Sequence, residues 1–212
     1  MKNSQTYRLK KVNDQDHVWL CELHNDPEVL KNLTNPNEIT IDDHLSWWSK
    51  IKDSLTEKRF IFTIDDVPAG FTKFYSIDTN NHSCVLGADL HKNFRGQGHA
   101  KHMWKLMLQY CFCTLKLHRV SLTTASYNHI AQRVYKGIGF KNEGLLIESL
   151  YRDGQYYDQI LMYMLRRDWD LLNKESNIDP LTEMSNSEND YHNRLNNAYL
   201  RDDSEWVYGL EE

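Results

Sequence analysis

The spacing of apolar residues along the chain changes period several times, and each change marks an element. Thr6-Tyr7-Arg8-Leu9-Lys10 alternates as a short strand. Asn13 then caps a helix with Asp14 and Asp16 in its first turn, where acidic side chains suit the positive end of the dipole. Asp26 caps a restart with Pro27 at the first helical position, and Asn35-Pro36-Asn37 is loop. Thr40 opens another helix, whose core stripe runs through Leu45, Trp48, Ile51 or Lys52, and Leu55 and leaves His44 and Trp47 to one side. Strands follow at residues 59–64 and 67–77 around an Asp65-Asp66 turn, then at 83–90 after Asp78-Thr79-Asn80-Asn81.

The period then returns to 3.6. Ala100, Met103, Trp104, Met107, Leu108 and Cys111 form one helical face, with Lys101, His102, Lys105 and Gln109 opposite. Residues 118–125 are β-rich. A short helix at 128–138 carries Ala131, Val134, Tyr135 and Ile138 on one face and stops at Gly139. Residues 144–152 and 155–164 flank Asp153-Gly154, a two-residue hairpin signal. Several antiparallel strands, one strand–loop–helix–strand crossover and a closing hairpin define an α+β fold: a mixed, mostly antiparallel central sheet with helices on both faces. Composition changes after Trp169. The expected organisation is a domain over residues 1–170, a polar linker over 171–190 and a C-terminal extension over 191–212, docked, dimerising or opening a further domain.

Composition narrows the class. With 212 residues and 40% hydrophobic content the chain can bury one core. A net charge of −5 argues against nucleic acid as the main partner. No apolar run reaches bilayer length, and the polar start Met1-Lys2-Asn3-Ser4 is not a secretion signal, so no membrane partner and a cytoplasmic location are expected. Cys21, Cys84, Cys111 and Cys113 lie within apolar patterns and form no CxxC pair, as reduced core thiols do.

The chemistry gathers at Asn93-Phe94-Arg95-Gly96-Gln97-Gly98-His99-Ala100. A strand that runs through Gly-x-Gly into a helix turns several backbone N–H groups towards one point at the positive end of the helix dipole, which suits phosphate. Arg95 adds a charge able to pair with it. His99 and His102 stand three apart on the helix without a third ligand, so no metal is expected.

Two motifs make this arrangement resemble the GCN5-related N-acetyltransferase (GNAT) superfamily. Its Arg/Gln-x-x-Gly-x-Gly/Ala signature is met by Arg95, Gly98 and Ala100. Its Asn-x-x-Ala-x-x-x-Tyr-x-x-x-Gly-Phe pattern is met by Asn128, Ala131, Tyr135, Gly139 and Phe140. The resemblance covers roughly residues 6–169. His24-Asn25-Asp26-Pro27-Glu28, His44-Leu45-Ser46-Trp47-Trp48 and Tyr151-Arg152-Asp153-Gly154-Gln155-Tyr156-Tyr157-Asp158 are similar to the branch that acetylates amino-sugar nucleotides, ribosomal-protein N-termini and spermidine. It implies acyl transfer from acetyl-CoA to a primary amine. The pyrophosphate would sit on the backbone of Arg95, Gly96, Gln97, Gly98, His99 and Ala100, and the pantetheine between two splayed strands. The Leu90 N–H would face the thioester oxygen, Asn128 would hold the pantetheine arm, and Tyr135 would protonate the departing thiolate.

The base is open. Some relatives carry a mid-strand Glu where this chain has Val85. Asp89 is the carboxylate on the same strand face, His82 and His91 bracket the strand, and a desolvating pocket with a water chain needs no dedicated base. For the acceptor, His44, Trp47, Trp48, Tyr75, Tyr151 and Tyr156 offer aromatic and neutral polar surface suited to stacking. A nucleotide-linked amino sugar ranks first, then a polyamine drawn to Asp26, Glu28, Asp42 and Asp43, then a protein N-terminus; a homodimer is possible. A competing reading keeps the fold as a non-catalytic acyl-CoA-binding domain.

Overall fold

A computed structural model describes residues 5–176 and 206–211. In chain order the elements are β1 (Thr6–Lys11), α1 (His17–His24), α2 (Pro27–Leu30), α3 (Ile41–Ile51), β2 (Lys58–Ile64), β3 (Val67–Asp78), β4 (Ser83–Leu90), α4 (His99–Gln109), β5 (Arg119–Ala125), α5 (His129–Ile138), β6 (Lys141–Arg152), β7 (Gln155–Leu165), α6 (Arg166–Ser176) and β8 (Trp206–Glu211). A π-helical turn at Tyr110–Thr114 prolongs α4. The strands form one sheet in the order β6-β7-β5-β4-β3-β2-β1-β8. Neighbours are antiparallel except β4 and β5, which are parallel and joined by a crossover through α4. The expected α+β architecture is what the chain adopts.

Alternation sorts the sheet into two faces. Phe60, Phe62, Phe74, Leu86, Val120, Leu122, Met162 and Met164 pack with Met103, Trp104, Leu106 and Met107 from α4 into the main core. Burying a side chain such as Phe62 contributes about 1.5–3 kcal/mol. On the other face Ile61 and Phe71 meet Leu20, Leu23 and Val29 in a smaller cluster under the first helices. The site lies on this second face. The four cysteines are free thiols, three of them buried.

The caps fall where the side chains direct. Asn13, Asp26 and Thr40 each accept from a backbone N–H at a helix start, and Thr40 forms a reciprocal box with Asp43. The two ends of the α3 stripe differ from expectation, while Trp48 and Ile51 face inward as read. Its buried residue is His44, while Leu45 is exposed and Trp48 only half-buried. Leu55 lies beyond the helix end and is 87% exposed. His17, buried on α1, decides the burial of His44 by hydrogen-bonding it (Nδ1 to Nε2, 3.1 Å), an interaction that hydrophobicity does not register.

The C-terminal segment contributes β8, which pairs antiparallel with β1 from Thr6↔Glu211 to Lys10↔Trp206. Helix α6 spans residue 170, where the sequence reading ended the domain. Most of the linker and the apolar positions from Tyr191 to Leu200 lie outside the described residues. No described helix is long and apolar enough to cross a membrane.

Candidate active site

Strands β4 and β5 pair only over Ser83↔Arg119, Cys84↔Val120 and Val85↔Ser121. Beyond Val85 they diverge, while β5 stays paired with β7 along its whole length. The gap is lined on the β4 side by main chain. The His91 N–H donates to Ala69 O on β3 (2.8 Å), and Asp89 stands opposite Phe71 with its carbonyl turned to Gly70, where an added Cβ would come within 2.8 Å. Alternation therefore turns the N–H and C=O of Leu86, Ala88 and Leu90 the other way, towards β5 and the gap. The Ser121 hydroxyl donating to Cys84 O (3.5 Å) has the same sense. Backbone donors that no sheet partner can claim are what an extended amide-bearing arm needs.

At the end of β4 the chain turns through Gly96 and Gly98, with φ of 75° and 89°. Those values favour glycine, and Gly98 caps α4 in the left-handed conformation with no side chain over the helix start. A Cβ at either glycine would meet nothing within 4 Å, so the bend is open. Gln97 closes the loop on itself, its Nε2 donating to Asn93 O (2.7 Å). The His99 side chain turns inward: it is buried and its Nδ1 lies 3.4 Å from the Tyr7 hydroxyl. Burial and nearby His102 lower its pKa, so His99 can serve a phosphate only through its backbone. An anion here meets unoccupied N–H groups at the positive end of α4.

Arg95 departs from expectation. Its Nε donates to Leu90 O (2.8 Å) and its Nη1 pairs with Asp26 Oδ1 (3.2 Å), while Nη2 is buried without a partner. The guanidinium is turned back into the protein, because an acidic cap on α2 lies within reach. Burial raises the Asp26 pKa, but the hydrogen bond and charge of Arg95, with the Glu28 and Val29 amides, bring it below the usual range.

A cavity of about 510 Å³ opens beside the gap. Its walls come from α1, the loop after α2, α3, the outer face of β2 to β4, the end of β5 and the start of α5. Asn128, Tyr135, Asp89, Tyr75, His44 and Trp47 all line it. Asn128 caps α5, its Oδ1 accepting from the Ala131 N–H (3.1 Å), which leaves its amide nitrogen to donate. Tyr135 packs edge-on against Trp104, with ring centroids 4.8 Å apart. Burial first, then the charges of Asp89 and Tyr75, push its pKa up, so the group is a phenol that holds its proton.

Three expected wall residues are elsewhere. Trp48 does not line the cavity and packs against His17. Tyr151 and Tyr156 are 57% and 64% exposed near the tip of the β6–β7 hairpin, their rings tilted against each other with centroids 4.9 Å apart rather than facing the site. Hairpin length places them past the rim, which residue type does not reveal. Conversely, the sequence offered no reason to single out Arg59 or Lys73. Lys73 forms an ion pair with Asp89. Arg59 lies between the rings of Trp47 and Tyr75 (5.9 and 5.8 Å), pairs with Glu57 and keeps a buried Nε without a partner. The one signal available was alternation: positions 59, 73, 87 and 89 share a sheet face.

His44 sits in the wall as a neutral imidazole. Burial, then the neighbouring His17 and His24, lower its pKa to about 4. Among the described residues no three His, Cys, Asp or Glu side chains gather as a metal site.

Comparison with known proteins accords with this geometry. The pattern defining the acetyltransferase (GNAT) domain matches residues 7–141. A prophage-derived uncharacterized N-acetyltransferase of Bacillus subtilis, YokL, is 27% identical over 164 residues, covering 77% of this chain and 92% of that protein. The spermidine N(1)-acetyltransferase of Escherichia coli K12 is 24% identical over 170 residues, covering 80% and 91%. The crystal structure of a Vibrio cholerae spermidine N-acetyltransferase with CoA and spermine superposes with a TM-score of 0.73 at 24% identity, covering 77% and 97%, and shares the fold.

Proposed function

Because the chain belongs to the GNAT acetyltransferase family and is an acetyl-CoA-dependent N-acetyltransferase, we propose that its acceptor is a small polyamine of the spermidine type. The observation that carries this is the cavity beside the β4–β5 gap. It runs from Asn128 and Tyr135 to the α1–α3 wall and holds two carboxylates, Asp89 near the gap and Asp43 at α3. The Thr40 side chain, then its backbone, hydrogen-bonds Asp43 and lowers its pKa, so it stays ionised to meet a distal ammonium. Relatives named for spermidine, aligned over nine-tenths of their length, support the same class.

Acetyl-CoA, when bound, supplies a thioester whose carbonyl a neutral amine attacks. The open Gly96–Gly98 bend and the free edge of β4 fit such a molecule. In this reading the amides from Gly96 to Ala100 bind the pyrophosphate and the Asn128 side chain positions the arm. The Leu90 N–H, directed into the gap, stabilises negative charge on the carbonyl oxygen. Tyr135 keeps its proton until the sulfur leaves, then gives it up. Asp89, already paired with Lys73, orients the ammonium and is a poor sole base, so the first ammonium proton leaves to water in the cavity. The second, released from nitrogen after attack, restores the Tyr135 phenol.

A second reading draws on one observation. Arg59 between Trp47 and Tyr75, with Lys73 beside it, suits an acceptor carrying a phosphate or carboxylate. The nucleotide-linked amino sugar favoured by the sequence is of this kind. Its stacking surface has shrunk, since Trp48, Tyr151 and Tyr156 lie off the cavity. The test is thiol release from acetyl-CoA with spermidine, spermine, an amino acid and a nucleotide-linked amino sugar. Turnover with spermidine alone supports the first reading, and turnover confined to the anionic acceptors replaces it with the second.

A further inference from the structure

We infer that Arg95 acts as a positioning residue: it holds the Leu90 carbonyl, and so the end of the strand whose Leu90 N–H faces the reacting carbonyl, and through Asp26 ties that residue to the helical segment walling the acceptor cavity.

The expectation for a signature arginine is charge pairing with phosphate, and the geometry points elsewhere. Two guanidinium nitrogens are occupied within the protein, Nε by Leu90 O (2.8 Å) and Nη1 by Asp26 Oδ1 (3.2 Å). Leu90 is the last residue of β4, beyond its pairing with β5, so no strand on that side fixes it. Its N–H and C=O point the same way but belong to successive peptides. The N–H shares a peptide with the Asp89 carbonyl, which faces β3, and the C=O shares one with the His91 N–H. Fixing the second peptide fixes the torsion that sets where the strand end lies. On the far side His91 N–H is held by Ala69 O (2.8 Å). The peptide that joins Leu90 to His91 is therefore gripped at both ends. Misplacing a donor at the reacting centre by about 1 Å costs about a hundredfold in rate.

Asp26 makes the second connection. Its side chain is 11% exposed, and the Oδ1 that receives Arg95 also accepts from the Glu28 N–H (2.9 Å) at the start of α2. Helix α1 ends just before it, and Leu20, Leu23 and His24 of that helix line the cavity. One guanidinium thus joins the donor strand to the acceptor wall across 69 positions of sequence.

This rests on the acetyltransferase reading, and the test separates the two. Arg95→Gln and Arg95→Lys would be assayed with acetyl-CoA and with S-acetylpantetheine, which lacks the pyrophosphate. CoA affinity would be measured by calorimetry, and exchange of the His91 amide by NMR in ligand-free protein. Positioning predicts that Arg95→Gln lowers kcat about thirtyfold with either donor while the CoA Kd changes less than about threefold. Arg95→Lys, which keeps the charge but not the two-pronged reach, should lose nearly as much. Asp26→Asn should show a smaller loss of kcat and a raised KM for the amine, and His91 exchange should quicken in all three. A loss confined to acetyl-CoA, rescued by lysine and carried by the CoA Kd, would return Arg95 to the phosphate and overturn the inference. Unchanged His91 exchange would overturn it too. A wild-type protein without affinity for CoA would sink the acetyltransferase reading, and the exchange measurement would still decide whether Arg95 grips β4.

Discussion

The two sides of the β4–β5 gap are built from different materials. The donor side is main chain: a strand edge, two glycines with positive φ and the start of α4. The acceptor side is side chain, assembled from three helical segments and four strands, with paired charges and a buried imidazole. The difference teaches how each half tolerates change. A backbone site depends on conformation and accepts nearly any residue that preserves it. A side-chain site changes chemistry with a single substitution, so one fold can present the same thioester to different amines.

Breaking the boundary between the halves should have the largest effect. Tyr135 stands where the two sides meet, and Tyr135→Phe should lower kcat about a hundredfold while calorimetry shows the acetyl-CoA Kd nearly unchanged. Unaltered turnover would remove the phenol from the reaction. Next is the acid sensitivity of the acceptor side. His44 has its pKa depressed from 6.5 to about 4, so the unfolded chain binds the extra proton more readily and stability falls as pH drops through that window. Denaturant titrations should show about 2 kcal/mol lost between pH 7 and pH 4, and His44→Gln should flatten that slope. His99, its pKa lowered by burial and by His102, adds in the same direction, whereas Asp26 and Asp168, held below the usual carboxylate range, lose their contribution only at lower pH.

A smaller effect should divide the two sides cleanly. Asp89→Asn should raise the amine KM about tenfold and leave CoA binding alone, because a charged hydrogen bond is worth about 1.5–3 kcal/mol. Gly98→Ala should do the reverse. Space is open there, yet φ of 89° strains any side chain, weakening CoA about fivefold with the amine KM unmoved. The smallest effect is expected at the hairpin tip, where Tyr151→Ala and Tyr156→Ala should change the KM for either substrate by less than about twofold. A tenfold change would return those rings to the acceptor wall.

How far residues alone could lead depended on which side they served. Gly98, Asn128 and Tyr135 were legible because a positive-φ turn, a helix cap and a face of fixed period are local requirements, met within a few neighbours. The strands and most helices were legible for the same reason, as was the family resemblance built on two motifs. The stripe of α3 was read correctly at Trp48 and Ile51 and wrongly at its start, since His44 rather than Leu45 is buried, by a hydrogen bond to a residue on another helix. Arg95 was read for its charge, which is local knowledge, whereas its contacts with Asp26 and the Leu90 carbonyl are not.

The order of elements and the glycine bend that follows β4 come from the sequence by itself, through backbone geometry and periodicity, while the splayed strand and the donor chemistry came only through the family resemblance of two motifs. Tertiary structure alone decided that Lys73 pairs with Asp89, that Arg59 lines the cavity, that Tyr151 and Tyr156 stay outside it, and that residues 206–211 add an eighth strand beside β1. Each of these depends on which side chains meet across tens of residues, and burial and charge act on the neighbours a group has in space.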